Sequence, residues 1–122
     1  MKQSRIQTFH LRKRETRKDD QGVTFVDYGE PVKFSGEVWP AGGKVQAEMY
    51  GERLSYIRNM KIEGEYTVRV DEKNRLHYVF SKKLDVSESD GVCIYVPGES
   101  KPDYKIISIK PYRPLRLECE KL

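Results

Sequence analysis

The sequence predicts a mainly all-β chain: a small antiparallel β-barrel or sandwich of about seven strands, with one short helix or long loop near 44–58. Three observations predict it. Apolar residues recur at period two in several short runs, which puts one side of each run against a core and the other in water. Gly, Pro and Asp clusters punctuate those runs at turn spacing. Eight tyrosines, four phenylalanines and one tryptophan supply bulk in a chain that is only 37% hydrophobic and 34% charged, and aromatics suit pleated surfaces. A chain of 122 residues has room for one domain, 1–122, with one modest core.

In chain order, residues 8–17 read as a first strand and Asp19-Asp20-Gln21-Gly22 as a turn, since Asp caps a bend and Gly supplies positive φ. Residues 23–28 return as a second strand. Gly29 to Pro31 breaks it, and residues 32–39 resume an extended run that ends at Pro40. Ala41-Gly42-Gly43 is the most flexible point. Residues 44–51 read as a short helix or long loop stopped by Gly51, with extended chain after it. Tyr66, Val68 and Val70 alternate with Thr67 and Arg69 to give a strand, and Asp71 to Asn74 turns. Residues 76–80, apolar on both faces, read as a central strand. Leu84 and Val86 anchor one short element before Asp90-Gly91 turns the chain. The end of the chain reads as three more strands: Val92, Ile94 and Val96 against Cys93 and Tyr95; residues 104–109; and Leu115, Leu117 and Cys119 against Arg116, Glu118 and Glu120.

The net charge of +4 is unevenly placed. Residues 1–18 hold seven basic residues (Lys2, Arg5, Arg12, Lys13, Arg14, Arg17, Lys18) and one acidic, Glu15, while the rest hold sixteen basic and eighteen acidic. That distribution argues against a broad phosphate-binding face. No run approaches the roughly 18 apolar residues of a membrane span, and residues 1–10 lack the apolar centre of a signal peptide, so the chain is expected to stay in the cytoplasm where it is made. Cys93 and Cys119 read as small buried hydrophobes. His10 and His77 lack ligand spacing to either cysteine, so no metal or other cofactor is expected.

Catalytic motifs are absent: there is no Gly-x-Ser-x-Gly, phosphate-cradling glycine loop or paired-histidine helix. Glu63 and Glu65 read as solvated turn acids rather than an acid–base pair. His77 beside Asp71 or Glu72 reads as structural, and no enzyme is expected. The basic run Arg12, Lys13, Arg14, Arg17, Lys18 has two readings, an edge strand guarded by charge or a contact with phosphates or an acidic partner. The stretch after Trp39 likewise reads as a surface hairpin or as a loop that reaches for a neighbour, because Met49 and Tyr50 are apolar for a free loop.

The order of features then resembles one family. An N-terminal basic strand precedes an extended strand closing on Val38-Trp39, then Ala47-Glu48-Met49-Tyr50-Gly51-Glu52-Arg53. Paired strands lead to the runs Asp90 to Val96, Pro102 to Ile109 and Arg116 to Cys119. This resembles the head–tail joining (head-closure, or stopper) proteins of tailed bacteriophages and their prophage relatives in Gram-positive bacteria. The resemblance implies a small β-barrel with one short helix, built into a homo-oligomeric ring at the virion neck and assembled in the host cytoplasm. Its partners would be the portal or adaptor and the tail terminator, and it would close the DNA-filled head and dock the tail without specific DNA binding. The free subunit is expected to be a monomer. The resemblance also implies a loop at about 42–58 that projects toward the channel, with Lys44, Gln46, Glu48, Tyr50 and Arg53 as ring or channel contacts. The competing class is a nucleic-acid-binding module that uses the 12–18 strand for phosphates and surface tyrosines for stacking.

Overall fold

The computed structural model describes residues 5–122; Lys2, one of the N-terminal cations, lies outside the described residues. The chain is mainly β, built around a closed six-stranded antiparallel barrel. Its strands, in chain order, are β1 (Gln7–Arg12), β4 (Val32–Pro40), β5 (Ile57–Ile62), β9 (Gly91–Cys93), β10 (Tyr104–Lys110) and β11 (Leu115–Lys121). Around the barrel they run β1-β4-β5-β11-β10-β9, and β9 closes on β1. Closure leaves no unpaired edge and fills the interior with side chains. Phe9 and Leu11 point in from β1, Phe34 from β4, Met60 and Ile62 from β5, and Leu115, Leu117 and Cys119 from β11. Each such aliphatic or aromatic side chain contributes about 1.5–3 kcal/mol by leaving water.

Two smaller sheets extend from the barrel. β2 (Arg14–Lys18) and β3 (Thr24–Tyr28) form a hairpin, and β6 (Thr67–Val70), β7 (Leu76–Val79) and β8 (Asp85–Val86) form a three-stranded sheet with β7 central, as the sequence predicts. The second sheet is seated through Tyr66, Tyr78, Leu84 and Val86, which join the barrel's core cluster. Helix α1 (Gly43–Tyr50) and a 3-10 turn (Gly51–Tyr56) connect β4 to β5. Among the described residues, no helix is long and apolar enough to cross a membrane.

Four local expectations need correcting. Residues 8–17 are two strands in different sheets, because Arg14 N bonds the Asp90 carboxylate (3.1 Å) and Lys13 turns inward, which interrupts the ladder. The chain after Leu54 completes a 3-10 turn before β5 begins. The strand expected through Val96 stops at Cys93, since the Asp103 carboxylate accepts from Ile94 N (2.8 Å) and Tyr95 N (3.0 Å) in place of a neighbouring strand. Val92 and Cys93 are both buried there, so alternation fails. Val68 and Val70 are about half exposed, because β6 extends beyond the barrel.

Candidate functional site

Three features on the outer surface carry the polar chemistry: the β1–β2 junction, the helix α1 platform and a cleft beside β7. At the junction, the five cations of the basic run take different roles. The Arg12 guanidinium donates to the carbonyls of Gly29 (2.6 Å), Ser100 (2.8 Å) and Tyr28 (3.3 Å), which ties the hairpin base to the loop after β9. Lys13 Nζ reaches Asp90 Oδ2 (2.6 Å) and the Asp85 carbonyl (3.0 Å). Arg17 pairs with Glu15 (2.8 Å) and Asp27 (3.3 Å) on the exposed hairpin face. Arg14 and Lys18 are exposed, and their side chains have no hydrogen bond or ion pair among the described residues. Among the described residues, strand β2 pairs with β3 alone, which makes it an edge there.

Helix α1 buries no residue. Its inward face is polar. Gln46 Nε2 donates to Asn59 Oδ1 (2.6 Å) and Glu118 Oε2 (2.8 Å), while its Oε1 accepts from Asn59 Nδ2 (3.1 Å) and Gly42 N (2.9 Å). Those four bonds use the full capacity of a primary amide. Lys110 Nζ approaches Glu118 Oε1 at 3.4 Å, and Arg53 forks onto Glu120 at 2.7 and 2.8 Å. Lys44 and Glu48 face water, whereas Gln46, Tyr50 and Arg53 turn to the barrel. Residues 43–50 thus form a helix held to the barrel wall by polar side chains.

The sequence places Glu118 in water, but the helix platform covers it, leaving it 2% exposed. Burial alone would raise its carboxyl, yet the bonds from Gln46, Tyr50 and Lys110 hold it below the ordinary 4.5. Arg53 holds Glu120 below that value as well. The Tyr50 hydroxyl is pushed up to about 12, by burial first and then by its bond to Glu118. A carboxyl lowered on folding stabilises above its unfolded value and loses that contribution as pH falls through the folded one. We therefore expect the protection of the amides of residues 44–50, measured against the intrinsic exchange rate at each pH, to fall as pH drops below about 4.5, before that of the barrel strands. Simultaneous loss of protection in helix and barrel, followed by hydrogen exchange and NMR, would contradict this attachment.

The third feature is a cleft of about 450 Å³ where β7 and the 87–90 segment meet the base of the hairpin. Within it, His77 Nε2 lies 2.8 Å from Asp71 Oδ2, and Nδ1 lies 2.9 Å from Asp85 Oδ1 and 3.1 Å from Ser87 Oγ. A serine, histidine and aspartate at these distances invite comparison with a nucleophile–base pair. The ring nitrogen nearest Ser87, Nδ1, also faces both oxygens of the Asp85 carboxylate at 2.9 and 3.0 Å, closer than Ser87 Oγ, and Nε2 faces Asp71, so both ring positions are engaged by carboxylates. The bond to His77, with backbone N–H groups of Arg75 and Lys73, holds the Asp71 carboxyl well below the usual range. His77 bridges the β6–β7 turn and β8 through Asp71 and Asp85.

The sequence marks Asp90 as a turn residue and Glu118 as outward-facing but signals neither one's buried bonding, and nothing in it singles out Asn59. Among the described residues, no group of three His, Cys, Asp or Glu side chains is arranged to hold a metal ion. Trp39 is half-buried on the outer wall, with the Arg116 guanidinium 6.0 Å from its ring centre. Compared with protein-family models, with curated proteins and with solved structures, the chain has no match in any of the three.

Proposed function

We propose that this chain is a non-enzymatic structural subunit of a phage or prophage neck, forming a ring between portal or adaptor and tail. The resemblance in the order of its segments suggests that reading. One observation carries it furthest: the barrel is closed on itself, while the two sheets outside it expose apolar side chains. Val23, Phe25 and Val26 on the hairpin and Val68, Val70 and Leu76 on β6–β7 are each 44–57% exposed. Apolar surface displayed on projecting hairpins suits a subunit that completes its packing against neighbours.

The nucleic-acid reading receives less support. Arg12 and Lys13 are engaged inside the fold, which leaves Arg14 and Lys18 as the cations of the run without a side-chain partner among the described residues. The exposed tyrosines, Tyr56, Tyr95 and Tyr112, lie on three separate connections and form no stacking row. Phosphate contact through two cations gives a log–log salt slope near −2, whereas use of all five would give about −4.5. We expect weak duplex binding with the shallow slope. Electron microscopy of lysates from the parent element lacking this gene tests the neck role. Separate tails beside emptied heads are the expected result, and intact DNA-filled tailed particles would overturn the reading.

A further inference from the structure

Two features of this surface remain without a role: the cleft beside β7 and the tip of the β2–β3 hairpin. We propose that they are the two halves of one contact, in which the hairpin tip of one copy seats in the cleft of a second copy of this chain.

The cleft presents positive charge next to apolar surface. Arg14 lines it with no side-chain partner among the described residues, and Arg75 lines it with a side chain 67% exposed, held by Asp71 at 3.3 Å. Leu76, 49% exposed, and Tyr78 supply the apolar lining. The Asp90 carboxylate is taken by Lys13, Arg14 N and Ser87 N, so Glu88 is the acid left at the rim.

The tip presents the opposite order. Asp19 folds its carboxylate back onto Gln21 N and Val23 N (both 2.9 Å), and Gly22 adopts φ of +81°, which fixes a rigid turn. That turn displays Asp20, exposed and without a partner among the described residues, close to Val23, which is 57% exposed. Lys18, without a side-chain partner among the described residues at the end of β2, is the natural counterpart of Glu88. Carboxylate meets guanidinium, valine meets Leu76, and lysine meets glutamate. Such ordered charge fixes register and orientation in an interface.

A chain's own tip cannot fill its own cleft. Arg14 begins the five-residue strand β2 and Asp20 lies beyond its far end, a separation of about 14 Å or more at roughly 3.4 Å per step. The contact therefore runs from copy to copy. It joins two different surfaces, so repetition closes a ring or extends a filament. Only that closure into a ring rests on the neck reading; the contact itself stands on the charge and apolar pairing. A cleft of about 450 Å³ admits a turn rather than a whole strand, so the association is of the small, transient class.

Sedimentation of the full chain, up to about 1 mM where such contacts populate, tests the proposal. Wild type is expected to self-associate with rising concentration, and Asp20→Arg or Arg14→Glu alone to weaken association about tenfold or more. The double charge swap should restore it. Mixing the two single variants should restore association with the two alternating, because each variant's tip then matches the other's cleft while neither matches its own. Arg75→Glu is a second cleft variant should Arg14→Glu perturb β2. A wild type that stays monomeric, single reversals that associate like wild type, or a double swap that fails to recover would each overturn the contact. Any of those outcomes leaves the virion experiment standing, and a dispensable gene would leave a measured self-association standing.

Discussion

Replacing Asp90 with alanine is expected to cost about 3 kcal/mol of stability, the low end for removing one partner of a buried ion pair. The carboxylate is 3% exposed and accepts from Lys13 Nζ (2.6 Å), Ser87 N (2.9 Å) and Arg14 N (3.1 Å). It therefore joins the β1–β2 junction to the segment before β9. Burial pushes its carboxyl above the ordinary value, although Lys13 and both backbone N–H groups pull the other way. An acid raised on folding adds stability at low pH that is lost as pH rises, so the ionised pair is no large stabiliser at neutral pH. The cost of the alanine variant comes instead from what it abandons, two backbone donors and a lysine left with the Asp85 carbonyl at 3.0 Å. That remaining partner, and a Lys13 side chain 31% exposed, keep the loss at the lower end. Asparagine should recover little, because its amide offers one acceptor and turns a donor toward other donors. Urea unfolding measures the loss, and hydrogen exchange should show the β2–β3 amides loosening first. A loss under about 1 kcal/mol would mean the junction is held by something else.

How much of this was legible depended on sequence distance. Period two in residues 32–39, 104–109 and 115–119 is local, and those runs became β4, β10 and β11. Gly51 ends the helix where the sequence placed a stop, at φ of +55°. The polar sites are not local. Arg12 finds carbonyl partners 17 and 88 residues away, and Gln46 meets Glu118 across 72. Glu118 sits in clean alternation between Leu117 and Cys119, so its outward direction was readable. The helix that covers that outward face was not, because nothing near residue 118 encodes it. Asp90-Gly91 carries a turn signature, and the same short side chain that caps turns here bonds three separate donors. Exposure on β6 escaped for a related reason, since alternation tells which residues share a face but not whether that face meets a core.

Gly36→Ala should rival the loss of Asp90, at about 3 kcal/mol, the upper part of the range for overpacking. Gly36 is buried in β4 and pairs with Gln7 on β1 and Ile62 on β5, so it lies in the barrel wall with strands on both sides. A Cβ there would sit 2.4 Å from the Lys61 carbonyl oxygen and 3.4 Å from the Phe34 ring. The first clash is with backbone, which cannot swing aside as a flexible side chain can. Relief requires β4 and β5 to part, and in a closed barrel that strain passes to every neighbouring strand. Gly42 is the internal control. Its φ of −172° is extended backbone that any residue adopts, and a Cβ there meets nothing within 4 Å. Gly42→Ala should therefore stay within about 0.5 kcal/mol of wild type, as surface changes usually do. Thermal unfolding separates the two, with Gly36→Ala melting about 10 °C lower and Gly42→Ala nearly unmoved. Equal melting points would show that the barrel wall at β4 yields more readily than its geometry implies, and the account of a closed, rigid scaffold carrying exposed hairpins would fail with it.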